Sequence, residues 1–152
     1  MVSNTRVSSS SQSRVLLVDD NKAGLMARKS ILEELGFRVD GALSGKQALS
    51  LFEEHTYDLV VTDFRMPDMD GSELISALHR TRSGVPVILI SGFVEALGLD
   101  ESNTGADIVI MKSSNEVQHL IRAACRLLKS PRKPPISEKA RRGRPARRTA
   151  SA

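Results

Sequence analysis

Five short apolar runs, each closed by polar residues and each followed by a more polar stretch, leave this chain very few ways to fold. The runs are RVLLVDDN from Arg14, a shorter one carrying Phe37, Val39 and Ala42, LVVTD from Leu59, VPVILIS from Val85, and DIVIMK from Asp107. Leu59, Val60 and Val61 follow one another without a polar break, which suits a strand buried on both faces, and the turn material from Arg65 to Gly71 stops it abruptly. Pro86 stands at the beginning of the fourth run, where a missing N–H is tolerated.

Helical spacing fills the intervals. Leu25, Leu32 and Leu35 recur on one face until Gly36 offers a stop, and Ser44 with Gln47 predicts a capping box ahead of Ala48, Leu51 and Phe52. Leu74, Ile75 and Leu78 mark a third helix, and Val117, Leu120, Ile121, Ala124, Leu127 and Leu128 form a long stripe on the last. Residues 93–104 contain Gly98 and few periodic apolar positions, so the helix there is expected to be short or irregular. Strand and helix alternating five times predict an α/β fold, a five-stranded parallel sheet with helices on both faces.

Length and composition agree with one compact domain plus flanks. The chain has 152 residues, 40% of them hydrophobic, but only four Phe, one Tyr and no Trp, so the core is expected to be aliphatic and the composition disfavours a base-stacking surface. The single Cys125 rules out an internal disulfide and a multi-cysteine metal site. No apolar run approaches the length of a membrane span and no signal-peptide core precedes Arg14, which together predict a cytoplasmic protein with no membrane partner. Residues 1–13 are Ser-rich without periodicity and residues 130–152 are rich in Pro and charge, so both are expected to be disordered, leaving 14–129 as the folded domain.

The functional signal lies where the strands end. In an open parallel sheet ligands bind outside the C-terminal ends of the strands, and those ends here carry Asp19 and Asp20, Asp63, Ser91 and Lys112. Carboxylates packed together repel by roughly 4 kcal/mol per pair at 4 Å and an effective dielectric near 20, so the three acids call for a divalent cation. A hard ion held by carboxylates, water and a phosphate oxygen is how Mg²⁺ is usually bound. Lys112 supplies a point charge and Ser91 a hydroxyl, both suited to the oxygens of a phosphoryl group on Asp63.

Over residues 14–129 these motifs, VDDN, TDFRMPDMDG, ILISG and GADIVIMK, resemble the receiver domain of two-component response regulators. The resemblance implies a doubly wound, flavodoxin-like five-stranded sheet of order 2-1-3-4-5, phosphorylation of Asp63 by a histidine kinase or phosphotransfer protein, and Mg²⁺ held by Asp20 and Asp63. Asp19 would then act through water and the backbone carbonyl of Arg65 would complete the site. It further implies a phosphoacceptor signalling protein of a phosphorelay rather than an enzyme acting on a separate substrate, although such a domain can catalyse its own phosphorylation and dephosphorylation. Two positions depart from the family pattern: Val109 stands where an aromatic is usual, and Ser113 follows Lys112 where a proline is usual.

Charge divides the chain. From Ser130 onward eight Lys/Arg face one acid, net +7, whereas residues 1–129 hold fourteen Lys/Arg and seventeen acids, net −3. The core of the tail, Arg142, Gly143, Arg144 and Pro145, resembles an AT-hook, whose arginines enter the narrow minor groove of A·T-rich DNA. DNA is therefore a further candidate partner through the tail, and a second copy of the chain, as a homodimer, is another candidate. A second function class is a phosphorylation-independent docking or DNA-binding module. An aspartyl-nucleophile phosphatase is disfavoured, because the second acid such enzymes place two residues on is Arg65 here.

Overall fold

The computed structural model describes residues 12–92 and 94–129. Within them run β1 (Arg14–Val18), α1 (Lys22–Glu34), β2 (Arg38–Ala42), α2 (Gly45–Glu54), β3 (Leu59–Asp63), α3 (Gly71–Thr81), β4 (Val87–Ser91), the single turns α4 (Val94–Leu97) and α5 (Glu101–Thr104), β5 (Ile108–Met111) and α6 (Glu116–Lys129). The Ser-rich start up to residue 11 and the tail from residue 130, with Arg142, Gly143, Arg144 and Pro145, lie outside the described residues. Among the described residues no helix is long and apolar enough to cross a membrane.

All four strand pairs are parallel and the order is β2-β1-β3-β4-β5, the doubly wound arrangement expected from the sequence. The unbroken apolar runs follow from this, because successive strand residues point to opposite faces and both faces are covered. Leu16, Val18, Val60 and Leu89 pack on the face that meets Phe52 of α2 and Leu74 of α3. Val15, Leu17, Val61 and Ile88 pack on the other, against Leu32 of α1 and Leu120 of α6.

Local signals account for most boundaries. Asn21 caps α1 by accepting from the Gly24 N–H at 2.8 Å. After α1 the chain turns at Gly36, whose φ of +97° suits glycine, and the Phe37 and Gly36 amides close onto Leu32 and Glu33. Leu35, placed on the apolar stripe by its spacing, is the C-cap residue and is exposed. The capping box expected at α2 is half formed: Ser44 accepts from the Gln47 amide at 3.1 Å, but the Gln47 side chain binds the amide of Leu43 rather than that of Ser44. A complete box occurs at α3, between Asp70 and Glu73. The weak region after β4 forms two single turns, with Gly98 between them at φ +64°.

Candidate metal centre

The site follows from the register of the sheet. β1 is the strand from which the chain departs in opposite directions, so a crevice opens between its C-terminal end and that of β3. Val18 stands level with Thr62, which puts Asp19 and Asp63 side by side at the next position. Asp63 pairs with Ile90, so Ser91 lies one step further, and Ser91 pairs with Met111, so Lys112 follows one residue beyond β5 rather than ending it. Backbone hydrogen bonds fix these ends: the Asp19 amide donates to Ala42 at 3.0 Å, that of Phe64 to Ile90 at 3.0 Å and that of Lys112 to Ser91 at 2.9 Å.

Asp19, Asp20 and Asp63 each offer an oxygen, and these oxygens lie within 4.8 Å of one another. Asp19, Asp63 and Ser91 are buried, while Asp20 is exposed. Lys112 Nζ stands 3.4 Å from Asp63. Arg65 follows β3 by two residues and lines, with Asp20, Phe64, Met66, Asp70 and Leu97, a cleft of about 630 Å³ that gives access from solvent. The remaining loop acids have structural work: Asp68 accepts from the Gly45 and Lys46 amides at the start of α2, and Asp70 caps α3. A hard, oxygen-only donor set with one exposed and two buried carboxylates can hold a divalent cation.

Burial and then the adjacent Asp19 carboxylate push the Asp63 carboxyl up to about 7, against the opposing pull of Arg28 and Lys112. Removing a proton from this site is therefore costly unless a further cation arrives.

The sequence reading missed two charged residues of the pocket. Arg28, buried on α1, donates through one terminal nitrogen to Asp19 at 2.7 Å and to Asp63 at 3.4 Å, and its Nε donates to Glu116 at 2.8 Å. Its guanidinium is held above its ordinary value: burial opposes that rise, but the hydrogen bond to Glu116 and the surrounding carboxylates outweigh it. The Ser113 hydroxyl accepts from the Asn115 amide, and the Glu116 carboxylate turns to Arg28. A signal existed, since Arg28 lies three residues after Leu25 and four before Leu32, on the stripe that faces the core. Gly24 also serves the site: a Cβ there would fall 2.7 Å from the Asp19 carboxylate.

The sequence and the fold both have known relatives. The model of the response regulator receiver domain family matches residues 15–124, and the chain belongs to that family. It is 39% identical over 93 residues to the virulence sensor protein BvgS of Bordetella bronchiseptica, a match covering 59% of this chain but 8% of that protein. Among solved structures it is similar to a CheY-like receiver domain protein of Methanospirillum hungatei, with a TM-score of 0.69, 33% identity, and coverage of 78% of this chain and 95% of the other. The response regulator TrrA of Thermotoga maritima, in complex with Mg(2+)-BeF, gives a TM-score of 0.68 at 30% identity, covering 76% of this chain and 99% of that one.

Proposed function

We propose that the folded domain, residues 14–129, accepts a phosphoryl group on Asp63 and acts as a phosphorylation-dependent switch in a phosphorelay, with a histidine kinase or phosphotransfer protein as donor. The observation that carries this reading is the convergence of three carboxylate oxygens within 4.8 Å, beside a lysine 3.4 Å from one of them, at the ends of adjacent strands. The likeness to a sensor protein supports a donor of the sensor class.

The donor set fits Mg²⁺. Octahedral coordination at about 2.1 Å sets neighbouring ligand oxygens about 3 Å apart and opposite ones about 4.2 Å apart, so a spread of 4.8 Å needs only small side-chain rotations to close. Asp20, Asp63 and the Arg65 carbonyl would hold the ion, and Asp19 would act through water. The charges agree as well: Asp19, Asp20, Asp63 and Glu116 face Arg28 and Lys112, which leaves two negative charges. Bound there, Mg²⁺ would offset the charge of the incoming phosphoryl oxygens.

In the transfer an Asp63 carboxylate oxygen attacks phosphorus, the phosphorus–nitrogen bond of a phosphohistidine breaks, and the imidazole nitrogen leaves with the electron pair and takes up a proton. Lys112 Nζ binds a phosphoryl oxygen electrostatically, and the Ser91 hydroxyl, on the adjacent strand end, donates to another. The acyl phosphate carries about 1.5 to 2 negative charges at neutral pH where the carboxylate carried at most one, and places them on oxygens further out from the strand end, which can bias a two-state element at this edge of the sheet. Incubation with a small phosphodonor and Mg²⁺, followed by intact-mass measurement, should show one phosphoryl group on the wild type and none on Asp63→Ala. An unchanged gain in the variant would remove the assignment.

The basic tail supports a second activity, DNA binding through residues 130–152, with the Arg142–Pro145 core adding a preference for A·T-rich sequence. Its net +7 in the amino-acid sequence is what supports it. Each neutralised phosphate releases counterions, so log affinity should fall with log salt by about 0.9 per contact. Arg144→Ala should lose discrimination between A·T-rich and G·C-rich duplexes at one salt concentration. Equal affinity of the intact protein for the two duplexes would leave only a generic basic tail.

A further inference from the structure

The acidic pocket already contains a cation. Arg28 reaches from α1 beneath the site, buried, with one terminal nitrogen against both Asp19 and Asp63 and its Nε on Glu116 at the start of α6. An arginine here is poorly explained by packing alone. The position lies on the apolar stripe between Leu25 and Leu32, both buried, where a leucine or alanine would meet the helix's needs without removing a charge from water. Nor do the four carboxylates need it to be neutralised if a divalent ion is always present, since that ion and Lys112 together would carry most of the opposing charge.

We propose that Arg28 is a built-in counter-cation of the metal centre, which bridges Asp19 and Asp63 in the metal-free state and which the divalent ion must displace from Asp63 in order to bind. This inference rests on the reading of the acidic triad as a Mg²⁺ site. Three observations support it. The Arg28 nitrogen shares with the triad the same Asp63 and Asp19 carboxylates that the ion needs, and two like-charged centres a few ångströms apart repel strongly in a buried site. The contacts are unequal, 2.7 Å to Asp19 and 3.4 Å to Asp63, so the bond to the proposed acceptor is the weaker of the two and the first to yield. The Nε bond to Glu116 at 2.8 Å uses a different edge of the guanidinium and holds the side chain in the pocket when its terminal nitrogen moves.

The metal-free domain is thereby protected from the mutual repulsion of its buried acids, at the expense of metal affinity. Removing the guanidinium should reverse both effects, which a purely structural arginine would not do: loss of a merely structural residue loosens the site and weakens metal binding, whereas loss of a competitor strengthens it.

The test is Mg²⁺ titration by calorimetry on the full chain, wild type against Arg28→Met, at about pH 8 so that the Asp63 carboxyl is ionised. The Mg²⁺ dissociation constant of Arg28→Met should fall about tenfold to a hundredfold. Its melting temperature without metal should be lower than that of the wild type and its gain on adding Mg²⁺ larger. Arg28→Lys keeps the charge but lacks the fork that spans Asp19 and Glu116, and it provides a second measurement should Arg28→Met fold poorly; its affinity should be intermediate. Equal or weaker Mg²⁺ binding by the variants would overturn this inference while leaving the metal site itself intact. Absence of Mg²⁺ binding by all three proteins would overturn both.

Discussion

Without divalent metal, the protein should lose on the order of 2–4 kcal/mol of stability as the pH is raised from about 5 to about 8. The cause is Asp63, whose carboxyl is pushed from its ordinary 3.8 up to about 7 by burial and by Asp19. In that interval the folded state holds a proton that the unfolded state has released. Stability contributed by this group is fully present below the unfolded value and disappears as pH rises through the folded one. Asp40 acts in the opposite sense in a separate window: despite its partial burial, the Tyr57 hydroxyl and Arg14 hold it below its ordinary 3.8, so its contribution is lost only in more acidic solution. Two controls isolate Asp63. Asp63→Asn, neutral at every pH, should flatten the profile and make the metal-free protein more stable than the wild type near pH 8, and saturating Mg²⁺ should flatten the wild-type profile too. Urea melts at several pH values in a chelator would show this, and a stability that rises with pH over the same interval would contradict it.

Gly71→Ala should cost about 2–3 kcal/mol and weaken metal binding as well. Gly71 opens α3 directly after the loop that leaves Asp63, and its amide donates to Phe64 at 2.6 Å. A Cβ there would lie 2.5 Å from a Leu89 methyl, 2.8 Å from the Asp63 carbonyl oxygen and 3.0 Å from the Phe64 Cα. The leucine can rotate away, but the other two atoms are backbone, so relief must come from moving the backbone of Asp63 itself. Gly45 provides the contrast. The three nearest atoms a Cβ there would meet all belong to the side chain of Met69, Cγ at 2.5 Å, Sδ at 2.7 Å and Cε at 3.3 Å, and an unbranched methionine can rotate away without moving the backbone. Gly45→Ala should therefore change stability by no more than about 1 kcal/mol, and its Mg²⁺ affinity should match that of the wild type. Equal losses in the two variants would show that the close approach to Asp63 is not what Gly71 provides.

Much of this could be read from the sequence because the fold's strongest signals are local. Apolar runs such as Leu59–Val61 mark strands covered on both faces, and a parallel sheet then brings their C-terminal ends, with Asp19, Asp63, Ser91 and Lys112, to one edge. Residues 93–104 were read as a short or irregular helix for lack of a periodic stripe, and two single turns form there. What escaped were contacts between distant segments. Arg28 and Glu116 are separated by 88 positions, and nothing near either one shows that α1 and α6 share a face. The placement of the Gln47 side chain on Leu43 instead of Ser44 was equally hidden, since a capping motif specifies the residues but not which neighbouring amide the glutamine reaches.

The central claim, that Asp63 is the phosphoacceptor, is tested most directly by locating the modification. The wild-type protein is treated with a small phosphodonor and Mg²⁺, reduced with borohydride, which converts an aspartyl phosphate to homoserine, and then digested and sequenced by mass spectrometry. Homoserine should appear at position 63 and depend on Mg²⁺. Modification at Asp19, Asp20 or Ser91, with Asp63 unaltered, would contradict the account.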